Sequence, residues 1–97
     1  MADEDAPVTE AELLEALSQL RVSDLLVQTL STVSSLAYHR LAEESRDLEQ
    51  ARLAIEALRA LVPVLRGAVA DELVRDFERV TADLQLGYAG AVGSAET

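Results

Sequence analysis

At 97 residues the chain fits one small domain with a modest core, because a chain this short buries only about two-thirds of the surface it exposes when unfolded. Leu, Ala and Val dominate its apolar half while Gly and Pro are scarce, which is the mixture of helices and not of sheets or disorder; the absence of Cys excludes disulfides, thiolate catalysis and Cys-ligated zinc. Eighteen carboxylates against eight arginines give a formal net charge of -10, which repels a phosphate backbone and argues against direct nucleic-acid binding, while it steers a protein partner with a basic surface.

Residues 1–8 are acidic, small or proline and read as a disordered tail; they lack the positive region and apolar run of a secretory signal, so a cytoplasmic location is expected. Ordered structure is expected from residue 9 to residue 88. Thr9-Glu10-Ala11-Glu12 is a capping box, with Val8 placed to staple against Leu13, and Leu13, Leu14, Leu17 and Leu20 form the stripe of a first helix over residues 10–20.

Ser23-Asp24 marks a second start, and residues 25–38 carry no charged side chain. The apolar positions Leu26, Leu30, Val33 and Ala37, joined by Leu25 and Leu36, cover more than one face, and Thr29, Ser31, Thr32, Ser34 and Ser35 fill the rest. A helix without charge needs protein around it, so this segment is the candidate centre of the domain or a subunit interface. Its small hydroxyls permit close backbone approach and can bond back to their own helix. Fourteen residues, many of them polar, fall short of the ~20 that a membrane span needs, so no membrane association is expected.

Glu43-Glu44-Ser45-Arg46 reads as a turn, after which Asp47 caps a third helix with Gln50 completing a variant of the box. Leu48, Ala51, Ile55, Leu58, Val62 and Leu65 alternate spacings of three and four, a coiled-coil-like seam that must meet another helix. Pro63 either kinks this helix or stops it near Leu61, and Gly67 is the firmer break. A fourth helix is expected over residues 69–88 with Val69, Leu73, Phe77, Val80, Leu84 and Tyr88 as its stripe, and the Gly- and Ala-rich residues 89–97 read as a second disordered tail.

No catalytic constellation emerges. His39 stands one turn from Ser35 and one turn from Glu43, but a triad needs an orienting acid and an oxyanion hole, and a catalytic metal needs three protein ligands; a helix-end histidine beside Tyr38 is the simpler reading. No metal or cofactor is expected. Arg52, Arg59 and Arg66 recur every seven residues, yet Glu49 and Glu56 interleave with them, so an ion-pair ladder is simpler than a phosphate clamp, with Arg66 alone lacking an evident partner. An acyl carrier protein is also small, acidic and helical, but it requires Asp-Ser-Leu at a helix start, and this chain reads Ser23-Asp24-Leu25.

Three stretches together resemble the bacterial domain-of-unknown-function family DUF1844: the charge-poor residues 22–41 with His39; Asp47-Leu48-Glu49-Gln50-Ala51-Arg52-Leu53-Ala54-Ile55-Glu56-Ala57-Leu58; and Leu84-Gln85-Leu86-Gly87-Tyr88. The resemblance spans residues 22–90, leaves the first helix outside it, and rests mostly on core and capping positions, so it speaks to fold more than to activity. Arg40 and Pro63-Val64-Leu65 depart from the family pattern. The resemblance implies a soluble cytoplasmic bacterial protein with no catalytic residue to carry across, and translation is the process it points towards.

The expected architecture is all-α, a small antiparallel bundle of three to four helices, homodimeric, with residues 48–65 and 69–88 paired against the uncharged helix. Candidate interface residues are Leu26, Leu30, Val33, Ala37, Leu48, Ile55, Leu58, Val62, Phe77 and Leu84. The expected function is a non-catalytic adaptor or regulator acting through the second helix and the acidic exterior. The alternative is a small-ligand-binding protein whose pocket draws its polar groups from Ser35, Tyr38 and His39.

Overall fold

The computed structural model describes residues 9–96; the expected acidic tail and the Val8 staple lie outside the described residues. Four α-helices account for nearly all of it: α1 (Glu10–Gln19), α2 (Val22–Leu41), α3 (Leu48–Leu61) and α4 (Asp71–Glu96), with single 3-10 turns at Glu43–Ser45 and Val62–Leu65. Among the described residues the only strand-like pairing is one isolated bridge between Arg66 and Val69.

The helix ends follow from local chemistry. At α1 the capping box is complete, with the Glu12 N–H donating to the Thr9 hydroxyl at 3.1 Å and the Thr9 N–H donating to the Glu12 carboxylate at 3.0 Å. That backbone N–H, followed by the Thr9 hydroxyl, holds the Glu12 carboxyl below its ordinary value. Two extended residues, Leu20 and Arg21, then join α1 to α2. Ser23 and Asp24 lie inside the first turn of α2 and not before it, so the helix starts at Val22 without a side-chain cap, and Asp24 meets the positive end of the helix dipole.

The last carbonyls of α2 are satisfied from outside the helix. The Arg46 guanidinium donates twice to the Leu41 carbonyl, at 2.9 and 3.3 Å, and the Ser45 hydroxyl donates to the His39 carbonyl at 2.6 Å. At α3 the Gln50 N–H donates to the Asp47 carboxylate at 3.2 Å, the half of the capping box that the backbone requires.

Pro63 stops α3 instead of kinking it. Without an N–H it cannot extend the ladder, and the chain tightens at Leu61 into a 3-10 turn whose Val62 and Leu65 remain buried. Gly67 then takes φ +82°, a conformation that costs an L side chain, and turns the chain into α4. Here the structure departs from expectation at both ends. Helix α4 starts at Asp71, after Val69, and it runs through Gly87 and Gly90 to Glu96 where a disordered tail was expected from residue 89. Glycine weakens a helix by about 1 kcal/mol but does not end it. Ala91 is buried against the rest of the protein, and the Leu41 side chain lies over Gly87, so packing holds the last turns in place.

Facing residues give the topology. Across α2 and α3, Val33 and Ala57 share one end of a groove with Arg40 and Gln50 at the other, so these two helices are antiparallel. Arg66 pairs with Glu78 while Leu58 lies near Gln85, so α3 and α4 are antiparallel as well. Helix α4 returns beside α2 in the same direction, with the Tyr38 hydroxyl donating to Asp83 at 3.0 Å and Leu41 against Gly87.

The core draws on these three helices and the second 3-10 turn: Leu30 and Ala37 from α2, Ile55 and Leu58 from α3, Val62 and Leu65 from the turn, and Val74, Phe77 and Leu84 from α4. Two hydroxyls are buried with them, and each bonds back to its own helix, Ser34 to the Leu30 carbonyl at 2.8 Å and Thr81 to the Phe77 carbonyl at 2.7 Å. Helix α1 contributes no buried residue and touches none of the other helices among the described residues.

Candidate functional site

Seven of the ten expected interface residues, Leu30, Ala37, Ile55, Leu58, Val62, Phe77 and Leu84, are buried inside the single chain, and Leu26, Val33 and Leu48 are partly buried. The seven buried residues hold the bundle together and are not free to meet a partner, while Val33 keeps one side open. Periodicity identified the faces that must be covered, but the next helix of the same chain covers a face as well as a second chain does.

The expected ligand pocket is not formed. Ser35 and His39 are exposed, and Tyr38 is 44% exposed with its hydroxyl committed to Asp83. Burial first, then the hydrogen bond and negative charge of Asp83, push the Tyr38 phenol above its ordinary value. None of the three residues lines the hollows between α2 and α3, between α3 and α4, or along the outer side of α2. Spacing along one helix placed them close together, but Ser35 and His39 are turned to solvent and Tyr38 reaches across to Asp83 of α4, so the three do not converge on one pocket.

The arginine ladder is partly as expected. Arg52 pairs with Glu56 at 2.6 Å, one turn on, and not with Glu49; both side chains are more than half exposed, where an ion pair contributes little. Arg66 does have a partner, Glu78. That carboxylate lies twelve residues away on α4, beyond the reach of any argument from helical spacing. Among the described residues no three His, Asp or Glu side chains gather as a metal site.

What the sequence reading missed is the outer side of α2. Leu25 and Leu36 are each about half exposed, and across from Leu36 on α3 Leu53 is 57% exposed. Between the two helices runs a groove of about 260 Å³ lined by Val33, Leu36, Ala37, Arg40, Gln50, Leu53, Ala54 and Ala57, an apolar wall with one cation and no carboxylate. It continues through the shared Val33 into a second hollow beside Leu25, Gln28, Thr29 and Thr32, which is also uncharged. The signal was present in the sequence as Leu53, Ala54 and Ala57, apolar residues on α3 that stand beside the seam and not in it. A second open apolar surface lies on α1, where Leu13, Leu14, Leu17 and Leu20 are all between 52% and 60% exposed. Contiguous apolar exposure of this kind marks an interaction surface more often than chance surface composition.

No helix among the described residues is long and apolar enough to cross a membrane. No family model matches the chain, and neither a curated protein nor a solved structure matches it.

Proposed function

We propose that this chain is a non-catalytic protein-interaction module, an adaptor or regulator, that works as a homodimer and docks protein helices on the groove between α2 and α3. One observation carries the reading: in a chain of net charge -10, the strip from Leu25 to Arg40 on α2 is open and free of carboxylates, and its half beside Leu53, Ala54 and Ala57 is mostly apolar. An amphipathic helix laid in an apolar groove is a recurrent recognition mode, and leucines at Leu25, Leu36 and Leu53 supply its anchors. The acidic exterior, including Asp71, Glu72 and Asp76 of α4, steers partners with basic surface but does not hold them. The resemblance to DUF1844 adds a cytoplasmic bacterial setting and the direction of translation to this proposal.

Affinity capture on the immobilised full chain tests it. A partner seated in the groove stays bound from low to moderate salt and is lost from the double variant Leu36→Glu, Leu53→Glu. Partners that leave the wild-type chain at moderate salt, and bind the double variant equally well at low salt, would show that charge alone does the binding and that the groove is not the site.

A further inference from the structure

We infer that the groove between α2 and α3 receives helix α1 of a second copy of this chain, the two copies exchanging α1 helices reciprocally. The inference rests on the interaction reading above and deepens it by naming what occupies the groove in the free chain, an α1 that a partner helix displaces when it docks. It starts from α1 itself. A ten-residue helix is too short to persist alone in water, and this one, with Leu20 at its C-cap, exposes four leucines that no other helix among the described residues covers. Something must cover that face if the helix is to last.

The chain's own geometry keeps α1 out of the groove. At ~1.5 Å per residue α1 is about 15 Å long, and the Leu20-Arg21 link ties its end to Val22. Folded back on its own α2, it would cover the hollow beside Leu25, Gln28, Thr29 and Thr32 but end near Thr32, short of the apolar groove that runs from Val33 to Arg40. Leu20 and Arg21 are also extended and carry α1 away from its own bundle, the hinge geometry that exchange between protomers uses.

Charge points the same way. Glu10, Glu12 and Glu15 make α1 acidic, and most of the exterior is acidic and repels it. The groove has no carboxylate in its wall and has Arg40 at its α2 C-terminal end. An α1 laid with its N-terminal glutamates towards Arg40 therefore satisfies both the leucines and the charges.

Area is sufficient as well. Leu13, Leu14 and Leu17 of α1, Leu20 at its C-cap, and Leu36 and Leu53 of the groove are each 50% to 60% exposed. At roughly 90 Å² for each half-exposed leucine, a reciprocal pair hides about 1,100 Å² of leucine surface, above the ~1,000 Å² that marks a specific interface.

The test is the mass of the full chain in solution by light scattering at micromolar concentrations, for the wild type and two double variants, with far-UV circular dichroism as the check on folding. The wild type is expected as a dimer. Leu13→Glu with Leu17→Glu, on a helix that supports nothing in its own bundle, is expected to weaken dimerisation on the order of 100-fold and to run as a monomer with the bundle intact. Leu36→Glu with Leu53→Glu is expected to do the same from the groove side. A monomeric wild type, or a dimer that survives the α1 double variant, would overturn the exchange. The interaction reading fails separately: the α1 variant leaves the groove open, so it retains partner capture if that reading is right and loses it only if that reading is wrong.

Discussion

Helices α1 and α3 begin in the same way and end in different circumstances. Each has a side-chain N-cap, an acidic first turn and apolar residues spaced by three and four, yet α3 buries Ala51, Ile55 and Leu58 while α1 buries nothing. The difference is in their neighbours and connections. Helix α3 lies between the longer α2 and α4, joined to both by turns that reverse the chain. Helix α1 is joined to α2 by two extended residues and packs on none of the other helices among the described residues. An amphipathic pattern thus specifies a helix and the face it must bury, while chain connectivity decides whether the same molecule can bury it.

The sharpest way to break this contrast is to truncate one leucine from each helix. Leu58 is fully buried, so Leu58→Ala is expected to lower unfolding stability by about 2–5 kcal/mol in denaturant titrations. Leu17→Ala, measured where the chain is monomeric, is expected to change it by less than about 0.5 kcal/mol, as surface substitutions do. Comparable losses would mean that α1 packs on its own bundle.

The turn that gives α3 its reversal is the next target. Gly67 has φ +82° and open space around a Cβ placed there, so Gly67→Ala is expected to cost about 1–2 kcal/mol of thermal stability from backbone strain alone. Gly67→Asn should recover part of the loss, since Asn tolerates this conformation better. At the far end of α4 the sign reverses. A Cβ at Gly90 or Gly93 meets nothing within 4 Å, so replacing either with Ala is expected to raise stability by about 0.5–1 kcal/mol through lower unfolded-chain entropy. No gain would mean that these last turns are not helical in solution.

The smallest effect concerns the link between α2 and α4. Removing the Tyr38 hydroxyl with Tyr38→Phe is expected to cost less than about 1 kcal/mol, because the bond to Asp83 is exposed. Its pH dependence has a definite sign. A phenol whose folded pKa lies above its unfolded value of 10.0 binds its proton more tightly in the folded chain. The contribution is therefore fully present below pH 10 and is lost as pH rises through the raised folded value. Tyr38→Phe should lack that alkaline loss of stability in otherwise matched pH titrations.

Much of this fold was legible in the sequence because its signals are local. The capping box at Thr9, the Asp47 cap, the seam from Leu48 to Leu65 and the breaks at Pro63 and Gly67 each depend on residues within one or two turns. What escaped depends on distance or on close competition. The α4 stripe packs on the core as expected, with Phe77 and Leu84 buried and Val69, Leu73, Val80 and Tyr88 partly so, but Val74 and Thr81 are buried beside it, Thr81 with its hydroxyl bonded to its own helix. The helical stretch after Gly87 depends on the burial of Ala91, and Arg66 depends on Glu78, neither of which spacing along one helix can disclose. The uncharged α2 does have neighbours, but they cover one side only: Leu30, Ser34 and Ala37 are buried, with Leu26, Val27, Val33 and Leu41 partly buried beside them. The site lies on the side left open, and a sequence does not say which side its own chain will leave uncovered.

Backbone amide hydrogen exchange, followed from dilute to concentrated full-length chain, tests most directly whether the two leucine surfaces differ as described. In dilute solution the amides of α1 should exchange almost freely while those of α3 are protected, and α1 should gain protection only as the scattering mass doubles. Protection of α1 equal to that of α3 in a dilute, monomeric sample would contradict the account, because it would require a cover for α1 within its own chain.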